Sequence, residues 1–232
     1  METKYLYLLL NLATWIPPFI LSFDKKVAYF KRWKYLLPSL LIVGAFFIVW
    51  DVFFTRYGIW GFNSMYLTGV ELINLPMEEW LFFFTIPYAS IFIYDCIKAY
   101  FPDLRFYKEG VWIALILALI LMLIGIFNFM KWYTALTFLL LSYLLFYLGY
   151  KKVDYLGRFF ISYLIVLVPF FLVNGILTGS GIQDQVVWYN DMENLGFRLV
   201  TIPIEDLFYG MLLVLGNVSL YEYFQSGRPF GS

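Results

Sequence analysis

Pro76-Met77-Glu78-Glu79-Trp80-Leu81-Phe82-Phe83 sets two adjacent carboxylates at the mouth of a long apolar run, and Pro203-Ile204-Glu205-Asp206-Leu207-Phe208 writes the pattern again. Around the first copy stand Asn63, Met65, Gly69, Tyr94 and Asp95. They return around the second as Asn190, Met192, Gly196, Tyr221 and Glu222, all at one offset, 127 residues (Glu78 to Glu205). Further upstream Lys25-Lys26-Val27 echoes Lys151-Lys152-Val153, and Arg32 echoes Arg158 with a one-residue slip. A fixed long period of this kind marks an internal structural repeat.

The medium around the repeat follows from composition. The 232 residues are 62% hydrophobic and 14% charged, whereas charged residues make up about a quarter of an ordinary soluble domain. Apolar runs recur near the ~20 residues that cross a bilayer. We read seven spans: Tyr5–Phe23, Tyr35–Phe54, Pro76–Ala99, Val111–Phe129, Trp132–Gly149, Phe159–Leu177 and Ile202–Tyr223. The first has almost no basic flank and no small-residue cleavage site, so it reads as a retained helix. No alternating strand pattern competes with the helices. The expected fold is therefore an all-α integral membrane protein, with two parallel three-helix repeats joined by a spacer helix. Spans one to three match spans five to seven, and span four restores the starting side, so both acidic motifs face the same side. The expected units are 1–102 and 131–226 as repeats, 103–130 as the spacer and 227–232 as a tail.

Lysine and arginine set the orientation. Lys25, Lys26, Lys31, Arg32, Lys34, Lys98, Arg105, Lys108, Lys151, Lys152, Arg158 and Arg228 fall on one side, against Lys4, Arg56, Lys131 and Arg198 on the other. The positive-inside rule then gives a multi-pass protein of the cell membrane, N-terminus outside and C-terminus cytoplasmic.

Composition also restricts the chemistry. There are no histidines and a single cysteine, which removes the commonest metal ligand, the usual general base and any internal disulfide. A net charge of zero and the lack of a basic run argue against nucleic acid. No metal site is expected, and acid–base work falls to carboxylates, tyrosines or lysines. Capping could explain one acid per motif, since acids favour a helix start and Asn74 and Thr201 are candidate N-caps. It does not explain both acids, twice, on helices entering lipid. Glu78, Glu79, Glu205 and Asp206 are thus the candidate catalytic residues.

Candidate supporting residues are Asp51 at the end of span two, with Asn174 near the equivalent place, and Asn63, Asn190, Phe82 and Tyr209. Asp51 could instead pair with Arg56. Glu71 and Arg198, equivalent but opposite in charge, could pair with each other or with the motif acids. Asp95 and Glu222 beside Tyr94 and Tyr221 read as an interfacial belt. The stretch Gly58-Ile59-Trp60-Gly61-Phe62-Asn63 could fold back as a lid or form an ordinary turn. Tyr209, one turn after Glu205, could offer a ring face to a cation.

The doubled Pro-x-Glu-Glu/Asp motif in a three-span repeat resembles the small, non-flavin lycopene cyclases, whose two homologous subunits are fused in some lineages. Tyr5–Tyr100 looks like one subunit and Trp132–Phe224 like the other. The resemblance implies carotenoid biosynthesis by an intramolecular lyase or isomerase, with lycopene or a related acyclic carotenoid as substrate in the lipid bilayer and other carotenoid enzymes as companions. A ψ-end would be protonated, closed through a carbocation and deprotonated, giving β-ionone rings and β-carotene. No electrons move overall, so no cofactor is expected. A carboxylic acid kept protonated by an apolar site would donate the proton. Glu78 and Glu205 are the expected holders of that proton, with Glu79 and Asp206 as partner or base.

Three other readings compete. A membrane prenyltransferase would need magnesium-binding acidic motifs, which Asn190-Asp191-Met192-Glu193 approximates poorly. A two-repeat transporter would more often carry inverted halves and helices broken near mid-membrane. A retinal-binding receptor would need a lysine in span seven, which has none.

Overall fold

A computed structural model describes residues 4–227; Arg228 and the rest of the expected tail lie outside the described residues. Seven long helices run in chain order: α1 (Leu6–Leu21), α2 (Trp33–Arg56), α3 (Met77–Tyr100), α4 (Tyr107–Phe127), α5 (Trp132–Tyr150), α6 (Leu156–Leu177) and α7 (Ile204–Ser226). Six of them are long and apolar enough to cross a membrane. The exception is α1. Its 16 residues rise about 24 Å, short of the ~30 Å hydrocarbon core, because the helix stops at Leu21 rather than continuing to Phe23.

The repeat is visible in the packing. Helix α3 packs on α1 and on α6 of the other half, while α7 packs on α5 and on α2. Each half therefore lends its second helix to the other. The two second helices present equivalent inward faces: Leu36, Leu40, Val43, Phe47 and Asp51 of α2 answer Phe159, Tyr163, Val166, Phe170 and Asn174 of α6, all buried except the half-buried Phe170, at an offset of 123 residues (Asp51 to Asn174). That offset differs from the motif's by about one helical turn, so the faces stay aligned.

Helix α4 has no counterpart. Its Gly110, Ala114, Ala118, Leu121 and Gly125 form a buried stripe against α5 and α6. A Cβ on Gly110 would lie 2.3 Å from the Gly157 nitrogen, so the backbones touch and only glycine fits, as at close helix contacts in lipid.

At the motif end, short strands complete the fold. Strand β1 (Trp60–Phe62) pairs antiparallel with β4 (Val187–Tyr189), and its Gly61 faces Trp188. These strands are equivalent in the two halves, so the pairing maps onto itself when the halves are exchanged and a pseudo-twofold axis passes through the Gly61–Trp188 pair. Hairpins β2–β3 (Glu71–Leu72, Leu75–Pro76) and β5–β6 (Arg198–Leu199, Ile202–Pro203) deliver the chain into α3 and α7. Pro76 and Pro203 occupy the N-cap positions with extended ψ, and neither helix has a side-chain cap.

Candidate functional site

Because each hairpin ends on proline, the next residues are forced into the first helical turn and the two acids of each motif point in different directions. Glu78 and Glu205 turn towards the preceding loops. Glu78 accepts the Thr68 N–H at 2.7 Å and Glu205 the Leu195 N–H at 2.7 Å, equivalent bonds in the two halves. Glu205 also accepts from the Thr134 hydroxyl at 2.6 Å. Each keeps one buried oxygen, Oε2, without a hydrogen-bond partner.

Glu79 and Asp206 face inward and share one small chamber of about 60 Å³, lined also by Tyr7, Trp60, Tyr133 and Tyr189. Tyr7 donates its phenolic hydrogen to Glu79, and Tyr133 donates to Asp206. The tyrosines lie at equivalent places on α1 and α5, so the tyrosine–carboxylate pair is itself duplicated. The surroundings then diverge. Asp206 receives two more donors, Asn174 at 2.6 Å and Tyr189 at 2.9 Å. Burial, and then the adjacent Asp206 carboxylate, push the Tyr189 hydroxyl well above the ordinary phenol range, so it stays a donor. Among the described residues no ion pair reaches any of the four motif acids.

Tyr209 rises into the same chamber. Its buried hydroxyl has no hydrogen-bond partner, and its ring meets Phe47, Trp50 and Trp60 edge-to-face with centroids 5.0, 5.3 and 5.8 Å apart. Phe82, its equivalent in α3, lines the chamber as well. Asp51 is buried below the lid strand and accepts from the Trp60 indole and, at 3.3 Å, from Thr55. It is these groups, rather than Arg56, that hold it. The β1–β4 pair therefore does fold over the chamber, anchored through Trp60.

Other expected roles fall elsewhere. Asn63 and Asn190 accept the Met65 and Met192 N–H groups at 3.0 and 3.1 Å, so they shape loop turns and do not line the chamber. Asn74 donates to the Val52 carbonyl and Thr201 bonds Thr178 and Ser180, so neither caps a helix. Arg198 pairs with Asp191 at 2.6 Å rather than with Glu71, which lies exposed on β2. Asp95 and Glu222 form no loose belt: Tyr221 donates to Asp95 at 2.5 Å and Tyr94 to Glu222 at 2.6 Å. Arg32 and Lys98 complete these contacts. Sequence reasoning passed over Tyr7, Tyr133, Trp60 and Tyr189 as chamber groups. The first two had a usable signal, because they repeat with the same slip as the basic loops.

Fold and site together define a class: a multi-pass membrane protein of two parallel three-helix repeats that hold paired acids in one aromatic chamber. The lycopene cyclase family model matches residues 4–97 and 130–224, one segment in each repeat. The chain belongs to the lycopene cyclase family, and so to the cyclases of carotenoid biosynthesis at family level. No curated protein and no solved structure matches it.

Proposed function

We propose that the chain closes the ψ-ends of lycopene to β-ionone rings by proton-initiated, non-redox cyclisation. The observation that carries this reading is the chamber that Glu79 and Asp206, each held by a tyrosine, line together among aromatic rings, with no lysine or arginine in its lining among the described residues.

The geometry favours a division of labour different from the one the sequence suggested. Glu79, with one donor, is the proton source, and Asp206, whose lone pairs are met by three donors, is the carboxylate base. Glu78 and Glu205 hold the loops that close the chamber. The acid adds a proton to the terminal double bond and leaves a tertiary cation. A neighbouring double bond attacks, forming the ring bond, and Asp206 takes a proton from the ring to restore a double bond. Atoms and electrons balance, so product is an isomer of substrate. Tyr209, Phe82 and Trp60 supply the π-faces that steady the passing cation, and exclusion of water protects it from capture.

Expression in cells that accumulate lycopene, with pigment analysis, tests the reading. Cyclic carotenoid is expected from the native chain, and Glu79→Gln is expected to lower its yield by about 10²–10⁴-fold, the usual weight of a general acid. An unchanged lycopene pool despite verified membrane insertion of the native chain would sink the proposal.

A further inference from the structure

An apolar groove of about 310 Å³ runs between α1, α3, α6 and α7. Its outer rim includes Ala13, Pro17 and Leu172, all exposed, and exposed apolar side chains at mid-helix are the ones that meet lipid. Its inner end shares Phe82, Ile86, Phe170, Asn174 and Gly210 with the acid chamber. The groove is thus a passage from the membrane to Glu79 and Asp206.

The repeat requires a second such passage on the opposite side, between α5, α7, α2 and α3. There Phe47 stands where α6 has Phe170, and Phe83 stands where α7 has Gly210. Both rings are buried, and their centroids lie 5.9 Å apart. Tyr209 closes on Phe47 from the chamber side. On the open side, even a Cβ at Gly210 would come within 3.2 Å of the Tyr163 hydroxyl and 3.6 Å of the Phe170 ring. One residue pair, Gly210 and Phe83, thus distinguishes an open half from a plugged one.

We propose that the duplicated site has a single entrance: the carotenoid end reaches the acids only along the α1–α6 groove, gated by Gly210, and the equivalent α2–α5 route is closed by Phe47 and Phe83. The proposal rests on the cyclase reading for the nature of the substrate, a long apolar polyene inserted by one end. It follows that the two ends of the substrate are cyclised in separate visits. The chain must withdraw along the groove and turn round between them, so a monocyclic carotenoid is released to the membrane.

The test uses the full chain in lycopene-accumulating membranes, with two readouts: cyclic product, and carotenoid retained on the purified protein. Gly210→Phe fills the groove from within and Ala13→Trp blocks its rim. Val49→Trp alters the exposed position answering Leu172 on the plugged side. Gly210→Phe and Ala13→Trp are each expected to lower both readouts at least about tenfold, the loss that ~1.4 kcal/mol of binding represents, while Val49→Trp stays within about twofold. Ala13→Trp covers the case in which Gly210→Phe disturbs folding. If Val49→Trp is as damaging as Ala13→Trp, or both groove variants retain carotenoid like the native chain, the single entrance is overturned. If the native chain retains carotenoid in a Gly210-dependent way but makes no ring, the cyclase reading fails and the entrance stands.

Discussion

Asp206 collects three hydrogen-bond donors where Glu79 collects one, and at the scale of single residues that difference has a measurable consequence. The base decides which proton leaves the cation. Asp206→Asn is therefore expected to redistribute product among ring isomers as well as slow the reaction, whereas Glu79→Gln suppresses all rings together. Chromatography of the pigments reads both, and an identical isomer ratio from the Asn variant would remove Asp206 from the base role. Glu78→Ala and Glu205→Ala strip the half-buried Thr68 and Leu195 N–H groups of their acceptor, which costs about 0.5–1.5 kcal/mol each. Thermal unfolding in detergent should show that loss. The four acids were legible in the sequence because they recur as pairs. Which acid of each pair faces the chamber was not, because adjacent helical residues point about 100° apart and only the hairpin fixes the rotation. Tyr189 and Trp60 were illegible for another reason: they reach the acids from strands whose pairing joins residues far apart in the chain.

Those hairpins define the element scale. Each turns on a β-branched residue with a left-handed backbone, Ile73 at φ 63° and Val200 at φ 61°, the same position in both repeats. An L-residue pays roughly 1–2 kcal/mol there, and asparagine pays less because its side chain bonds locally. Val200→Asn should therefore raise stability by about 0.5–1 kcal/mol, checked by thermal unfolding. A lower midpoint would mean that the exposed valine is held by something outside the chain. The helices were legible from apolar runs alone, but two- and three-residue strands are too short to show an alternating pattern. Helix α1 was overestimated for a related reason: Ser22 and Phe23 continue the apolar run although the helix has already ended.

For the whole molecule, the repeat predicted parallel halves, and the packing of α3 on α6 and α7 on α2 shows how they interlock. Sequence periodicity could not disclose that exchange, since it reports equivalence and not contact. At the end away from the motifs, Tyr94 reaches Glu222 and Tyr221 reaches Asp95, two equivalent bonds that cross between the halves in opposite directions. Double substitution Tyr94→Phe/Tyr221→Phe should destabilise the bundle by about 1–3 kcal/mol, because it leaves the buried Asp95 and the half-buried Glu222 each short of a donor. Loss no larger than that of one single variant would show that the two bonds are coupled. By the positive-inside rule, the basic loops predict that this end is cytoplasmic. Reporter fusions after Tyr100 and after Tyr150 are expected to read as cytoplasmic, and fusions after Phe127 as outside; the reverse pattern would overturn the orientation.

The meeting of Gly61 with Trp188 on the pseudo-twofold axis bears on which halves can assemble. A Cβ on Gly61 would lie 2.4 Å from the Trp188 ring, so this knob needs that socket. Two copies of the second half would set tryptophan against tryptophan, and two copies of the first would leave a void between glycines. The residue on the axis is thus a place where a symmetric pair of identical halves could not keep the present side chains. Its divergence is expected to make each half reject its own kind and choose the other, a partner code written in a single position. Produced as separate chains, 1–130 and 131–232 should recover activity only when mixed, and Gly61→Trp should abolish that recovery.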